Sequence, residues 1–441
     1  MTNAAVAQEA LTARPSTELV EAIAERFDEP TWLRDHRLAA LAHYAQKAWP
    51  SGQEEPWRRT PLDATPLDDW VLALSDGVSP ASFEGLLPEA PAGAVVQVDA
   101  GLAGLELSPA LAAKGVILLP LSQAAREHET LVAEHLNSIL PIDDPEPGSG
   151  RFTSLSSALW TQGLFCYVPP NVAIDETLYH LMGKTTANAG VFGHTLIVID
   201  EGALATVVEM TASDPSDGAS LAQRSVEVVA RRGSQLNLVQ LNAWGDDVHV
   251  FTTTHARLGD GTRLVNGSAA FGGRLHKDRV KIEVGANGSH ADLFAVFVGD
   301  GRQHIEHYTR QVHDQPGSSS ELIIKGALDG DSEAVQYGSI HITPNGQRTN
   351  AEQTMRNLLL SDGASADPIP VLEIEADDVK CAHAAAVGAL DPEQLFYLES
   401  RGIDPESAEG MVVHGFLTTL IDRLPDAHTR DLIEKFVERK L

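Results

Sequence analysis

The chain has 441 residues, of which 32 are basic and 62 acidic, for a formal net charge of −30. A surface this acidic repels nucleic-acid phosphates and anionic membranes, so neither nucleic acid nor membrane is expected as a partner, and proteins or small cations are favoured. Two cysteines, Cys166 and Cys381, form at most one disulfide and cannot fill a four-thiolate metal site, which fits a reducing compartment.

The length exceeds one ordinary compact core and predicts either two or three domains or one elongated repeat body with terminal attachments. The opening stretch "MTNAAVAQEALTARPSTEL" lacks a basic start followed by an apolar core, and no apolar run is long enough to span a bilayer. A soluble, cytoplasmic protein is expected. Leu19, Val20, Ile23, Ala24 and Phe27 recur at helical spacing behind the capping residues Ser16 and Thr17. A second helix follows Pro30, with Trp32, Leu33, Leu38, Leu41 and Tyr44. "WPSGQEEPWRRTPLD" then breaks the pattern and reads as a linker or an extended arm. "GAVVQVD" and "GVILLPL" read as strands and "SQAAREHETLVAEHLNSIL" as a helix, and the turn-rich "PIDDPEPGSG" suggests a boundary near residue 150.

From 151 to 389 the texture changes to short strand-like runs, among them "HTLIVID", "LATVVEM", "QLNLVQL", "DRVKIEV" and "VLEIEAD". Turn signals at Glu201-Gly202, Arg232-Gly233, Asp260-Gly261 and Asn287-Gly288 fall 31, 28 and 27 residues apart. So many short strands at near-regular spacing predict a mainly β fold, a solenoid more readily than a sandwich. The open ends of a solenoid need covers, which the helical flanks could supply. Beyond Leu390, Asp391-Pro392 and Asp404-Pro405 each open a helix and Gly402 stops the first. "DAHTRDLIEKFVERKL" supplies a third. The expected division is a helical and mixed lead-in over 1–150, a β core over 151–389 and a helical module over 390–441, either a lid or a docking unit.

The segment "QRTNAEQTMRNLLLSDGASADPIPVLEIEADDVKCAHAAAVGALDPEQLFYLESRGIDPESAEGMVVHGF" resembles the C-terminal signature of the SufB/SufD family of iron-sulfur cluster assembly proteins. "EEPWRRTPL" is similar to that family's N-terminal Trp-Arg element, and "SALWTQGLFCYVPPNV" to the segment leading into its core. The Lys-Cys-x-His run at 380–383 resembles the SufD branch, although Ala382 and Ala384 stand where that branch usually has Ser and Gly. The resemblance implies a right-handed parallel β-helix core flanked by helical domains. It also implies a non-catalytic scaffold that pairs with a SufB-type subunit and binds the ATPase SufC through the C-terminal helices. On those helices Phe396, Tyr397, Arg401, Gly402 and Phe416 are the partner-binding candidates. No permanently bound cofactor is expected; a transient iron-sulfur cluster or iron at a subunit interface is, and a reduced flavin has been associated with the complex. A SufB-like paralogue holding a cluster as a homodimer is the alternative within the family. A polysaccharide lyase or hydrolase built on a β-solenoid is the alternative outside it.

Cys381 and His383 share one face if their segment is extended, so a thiolate and an imidazole could bind one iron. Two ligands leave a tetrahedral site half made, and the same pair could equally be a buried thiol beside a hydrogen-bonded histidine. Other motifs are weaker. "GKTT" at 183–186 has Leu178 where a phosphate loop needs glycine, and His304 and His307 fall on opposite faces of a strand. Asp329, Asp331 and Glu333 read as a solvated turn, and Cys166 as an inert core thiol.

Overall fold

A computed structural model describes residues 11–12, 14–72, 74, 81–214, 218–285 and 287–441. The stretch through residue 10, read above for a leader, lies outside them. Between Ala173 and Ala389 the chain winds into a parallel β-solenoid of about eight turns. One strand of each turn joins a 10-stranded sheet and the other an 11-stranded sheet. Gln235–Ala243, for example, pairs in parallel with Leu204–Ser213 on one side and Arg263–Ala270 on the other. Such pairing stacks equivalent residues coil upon coil, so an inward side chain meets inward neighbours above and below it.

The predicted turn signals sit at the coil corners. Gly202, Gly233, Gly261 and Gly301 have φ of 65°, 68°, 67° and 56°, a left-handed conformation that a Cβ penalises. An apolar interior runs continuously from Val95 and Leu118 at one end to Met355 and Ala364 at the other. Beside it runs a polar file that the strand patterns did not announce. Arg224, Thr252, Asp278, His307 and Gln336 occupy successive positions in register on one sheet, all of them buried. Arg224 Nη1 lies 3.4 Å from Glu209 Oε2 of the opposite sheet, and Glu209 also meets His180 Nδ1 at 3.1 Å and the Thr195 hydroxyl at 2.5 Å. Burial alone would raise the Glu209 carboxyl, but the Arg224 charge and these hydrogen bonds outweigh it and hold the group at about 2.

The N-terminal helices pack on the outer face of the 11-stranded sheet. Thr17–Arg26 starts as expected, with the Ser16 hydroxyl accepting from the Leu19 N–H, and Thr31–Gln46 follows Pro30. The segment around Trp57 is an arm rather than a linker. Its indole stacks on Phe152 at 4.7 Å, Lys277 Nζ donates to the Pro56 carbonyl at 2.5 Å, and Arg59 Nε pairs with Asp367 at 2.8 Å. Three elements differ from expectation. The helix expected over 122–140 is two, Leu121–Glu127 and Glu129–His135, broken at His128 and ended by His135. Gly150–Leu159 is a buried helix where strand texture was expected, its apolar and small residues wedged between Thr31–Gln46 and the sheet. Gly101–Leu107 forms an unpredicted hairpin with Gly93–Val98, which pairs with Ala173–Lys184 and carries the 10-stranded sheet past the first coil. Ile117–Pro120 and Leu164–Val168 do the same for the other sheet.

The C-terminal helices, Pro392–Ser400, Pro405–Ile421 and Ala427–Lys440, start at the predicted caps, with Asp391 accepting from the Glu393 N–H and Asp404 from the Ser407 N–H. They do not cover the last coil. Val413, Leu417, Leu420 and Ile421 bury instead against Val239, Leu241, Phe294 and Val296 on the outer face of the 10-stranded sheet. The matching apolar row lies on the flank, so burial draws the helices there. Polar contacts fix the placement: Arg423 pairs with Glu321 at 2.6 Å, and the Tyr179 hydroxyl donates to Asp426 at 3.0 Å.

Candidate functional site

The last coil is the least protected part of the solenoid. Ser365–Ile374 ends one sheet and Lys380–Ala389 the other, and no described strand pairs beyond either. Every residue of Lys380–Ala389 except Cys381 is exposed.

Register decides where Cys381 and His383 point. Cys381 stacks on Ala351 and His383 on Gln353, and those two partners are 0% and 1% exposed, inward residues of the preceding coil. The pair therefore continues two interior columns to the point where the interior meets solvent, and the period-two expectation that both share a face is met. Cys381 keeps apolar company in Ile340, Ile342 and Ala351, and partial burial pushes its thiol upward despite the Ala351 backbone hydrogen bond. His383 is open to a partner. Two apolar residues of neighbouring interior columns, Ile374 and Val387, are 40% and 41% exposed. Among the described residues no group of three histidine, cysteine or acidic side chains stands close enough to enclose an ion.

The helical candidates divide. Phe396 and Tyr397 are 71% and 57% exposed on Pro392–Ser400, and Arg401 stacks over Tyr397 at 5.1 Å, so these three form one accessible patch. Gly402 has φ 88° and ends the helix as expected. Phe416 turns toward the solenoid, where Lys325 Nζ lies 4.7 Å from its ring and donates to its carbonyl at 2.7 Å.

The set-aside motifs are structural. Lys184 of "GKTT" is buried and donates to Asp247 at 3.1 Å, while the Thr185 and Thr186 hydroxyls donate to the Asp99 carboxylate. An acidic group thus fills the place a phosphate would need. His307 is inward, in register with Asp278, and His304 is on the outer face, both buried. Asp329, Asp331 and Glu333 are exposed. Cys166 is buried, and burial pushes its thiol up to about 12, an inert group.

Residues 181–416 match the family model described as SUF system FeS cluster assembly, SufBD core domain, and residues 20–179 match that of the SufBD protein N-terminal region. The chain belongs to the SufBD family. The iron-sulfur cluster assembly protein SufD of Bacillus subtilis is 29% identical over 96% of this chain and 97% of its own length. SufB of the same organism is 25% identical over 92% and 89%, and a SufBD family protein of Staphylococcus epidermidis is 28% identical over the same shares. The SufD branch is favoured, as the Lys-Cys-x-His run suggested. No helix among the described residues is long and apolar enough to cross a membrane.

Sequence reasoning missed how bare the last coil is. The signal was present in "KCAHAAAVGA", whose small residues offer a following coil or a helix little to pack against.

Proposed function

We propose that the chain is a non-catalytic scaffold for iron-sulfur cluster assembly, working in the cytoplasm. It pairs with a SufB-type subunit through the open end of its solenoid and docks a SufC-type ATPase on its C-terminal helices. The observation that carries this is the uncovered last coil, with Cys381 and His383 at the rim of the interior. Uncovered strand edges seek a partner, and Ile374 and Val387 add apolar area that a partner would bury. A thiolate and an imidazole are apt ligands for iron, which takes about four, so the partner or bridging sulfide would complete the set. The cluster is cargo, held at the seam and passed on.

ATPase docking rests on the Phe396, Tyr397 and Arg401 patch, whose aromatic and arginine content suits an interface hot spot. The deciding experiment measures iron and labile sulfide per complex after anaerobic purification of Cys381→Ser and His383→Ala chains with the SufB-type subunit. Normal complex yield with less cluster is expected. Full cluster occupancy in both variants would remove the ligand role and leave the pair structural.

A further inference from the structure

A second feature lies away from the open end, on the outer face of the 11-stranded sheet. Residues 138–146 bridge the strands Val248–Leu258, Leu275–Val284 and His304–His313 and leave beneath them a cavity of about 280 Å³. Its floor is ordered by register: Thr253, Arg279 and Tyr308 share one row, and His255, Lys281 and Arg310 the next. Four cationic side chains line it, Arg257, Arg279, Lys281 and Arg310, against the three carboxylates Asp144, Glu146 and Glu283. In a chain of net charge −30 this is an anomalous concentration of positive charge.

The carboxylates take up much of that charge but leave Arg279 short of acceptors. Glu283 is shared by Arg257 at 2.7 Å and Lys281 at 3.3 Å. Asp144 accepts from the Thr153 hydroxyl at 3.1 Å and the Glu146 N–H at 3.0 Å, and it stands 3.7 Å from Arg279 Nη1. Arg279 is 7% exposed, and its Nε and Nη1 make no hydrogen bond among the described residues; Arg310 donates from Nη1 to Glu146 at 3.3 Å and meets His341 Nδ1 from Nη2 at 3.3 Å, which leaves only its Nε without a partner among them. A buried guanidinium with idle donors is costly unless an acceptor arrives, and a dianion with several oxygens can meet the idle Arg279 donors and Arg310 Nε together, which a single carboxylate does less well. The rest of the wall is mixed, with Ser138, Thr253, Thr254 and His255 beside an apolar part. Leu140, Pro141 and Tyr308 belong to that apolar part, and the Tyr308 ring is held by stacking on Tyr337 at 4.6 Å.

We propose that this cavity binds a small phosphate monoester with an apolar or aromatic body, the phosphate on Arg279 and Arg310 and the body between Pro141 and Tyr308. Arg279 selects for charge and Tyr308 for the body. Because the roof belongs to the N-terminal region and the floor to the solenoid, the ligand clamps one to the other.

The test is calorimetric titration of the full chain with phenyl phosphate at low ionic strength, with inorganic phosphate and phenol in parallel. Saturable binding of phenyl phosphate is expected, at least about tenfold tighter than inorganic phosphate, with no measurable binding of phenol. Arg279→Gln should weaken phenyl phosphate at least about tenfold, and Arg279→Lys less. Tyr308→Ala should weaken phenyl phosphate and leave inorganic phosphate unchanged. Arg310→Gln gives a second loss of affinity should Arg279→Gln fold poorly, and melting curves of every variant report folding independently. No saturable binding of phenyl phosphate, equal affinity for inorganic phosphate, or unchanged affinity in a folded Arg279→Gln or Arg310→Gln chain would each overturn the proposal.

Discussion

At its first coil the solenoid is sealed and at its last it is bare, although both ends are built from long strands in parallel pairing. One interior column makes the contrast plain: it runs in register through Leu178, Val207, Leu238, Asn266, Leu293, Leu322, Gln353 and His383. It begins with a leucine that the Gly93–Val98 strand covers and ends in an exposed histidine beyond which no described strand pairs. The column is not apolar throughout, since Asn266 and Gln353 within it are buried, and what separates its two ends is cover: Leu178 has a strand beyond it and His383 has none among the described residues. The two bare edges also differ from each other. Ser365 and Glu375 donate their N–H groups back to the preceding coil, so the even positions of that strand face outward, and two of them, Pro368 and Pro370, have no N–H to offer. Lys380 donates back likewise, which leaves the N–H groups of Cys381, His383 and Ala385 facing outward with donors intact. The edge that carries the candidate ligands is therefore the one able to pair.

The comparison can be broken first in the covered part. Glu209→Ala strands Arg224 in the interior and should destabilise the chain by about 3–5 kcal/mol, whereas Cys381→Ser at the bare end should cost at most about 1 kcal/mol. Matched denaturant melts of the two variants check this, and equal losses would erase the distinction between the ends. Next in size, Ala385→Pro removes an outward donor and Val387→Asp places a charge on the same rim. The double variant should bind a SufB-type subunit at least about 100-fold more weakly, with its own melting temperature nearly unchanged. Retained binding by titration would move the interface elsewhere.

A third effect is set by pH. His313 is buried, with its ring nitrogens 2.7 Å and 2.8 Å from the Ser318 and Ser320 hydroxyls, and burial pushes its imidazole down from 6.5 to about 4. Burial does the same to His307, also to about 4. Between these values the unfolded chain binds more protons than the folded one. Stability is therefore complete above about pH 6.5 and falls as pH drops toward 4, by on the order of 1–3 kcal/mol per histidine. Melts across this range should show the decline and His313→Gln should flatten it; an unaltered slope would rule His313 out as a source. The smallest effect is at the helical patch: Phe396→Ala should change stability by less than about 0.5 kcal/mol yet reduce co-elution with a SufC-type ATPase.

Much of this architecture could be read from the amino acids because turns and caps act locally. Gly202, Gly233 and Gly261 marked coil corners, Asp391 and Asp404 marked helix starts, and the two-residue spacing of Cys381 and His383 was enough to place them on one face. What stayed hidden depends on distant partners. Arg224 and Asp278 lie in strands whose outer faces are also covered, so alternation does not distinguish an inward charge from an outward one. Gly150–Leu159 has no exposed face, because both the sheet and Thr31–Gln46 enclose it, and its serines and threonine are buried with its apolar residues. Phe416 looked free for a partner until Lys325, distant in sequence, was found beneath it.

The sealed first coil also limits how large an assembly can grow. A rod that could extend at both ends would stack copy upon copy, as strands do in a fibril. With the Gly93–Leu107 hairpin over one end, only the other end leaves a whole coil uncovered among the described residues, and two such coils that met would cover each other. End-to-end joining through these coils, as proposed above, would therefore stop at a pair, and the length of the body would be set by the number of coils in two chains rather than by their concentration.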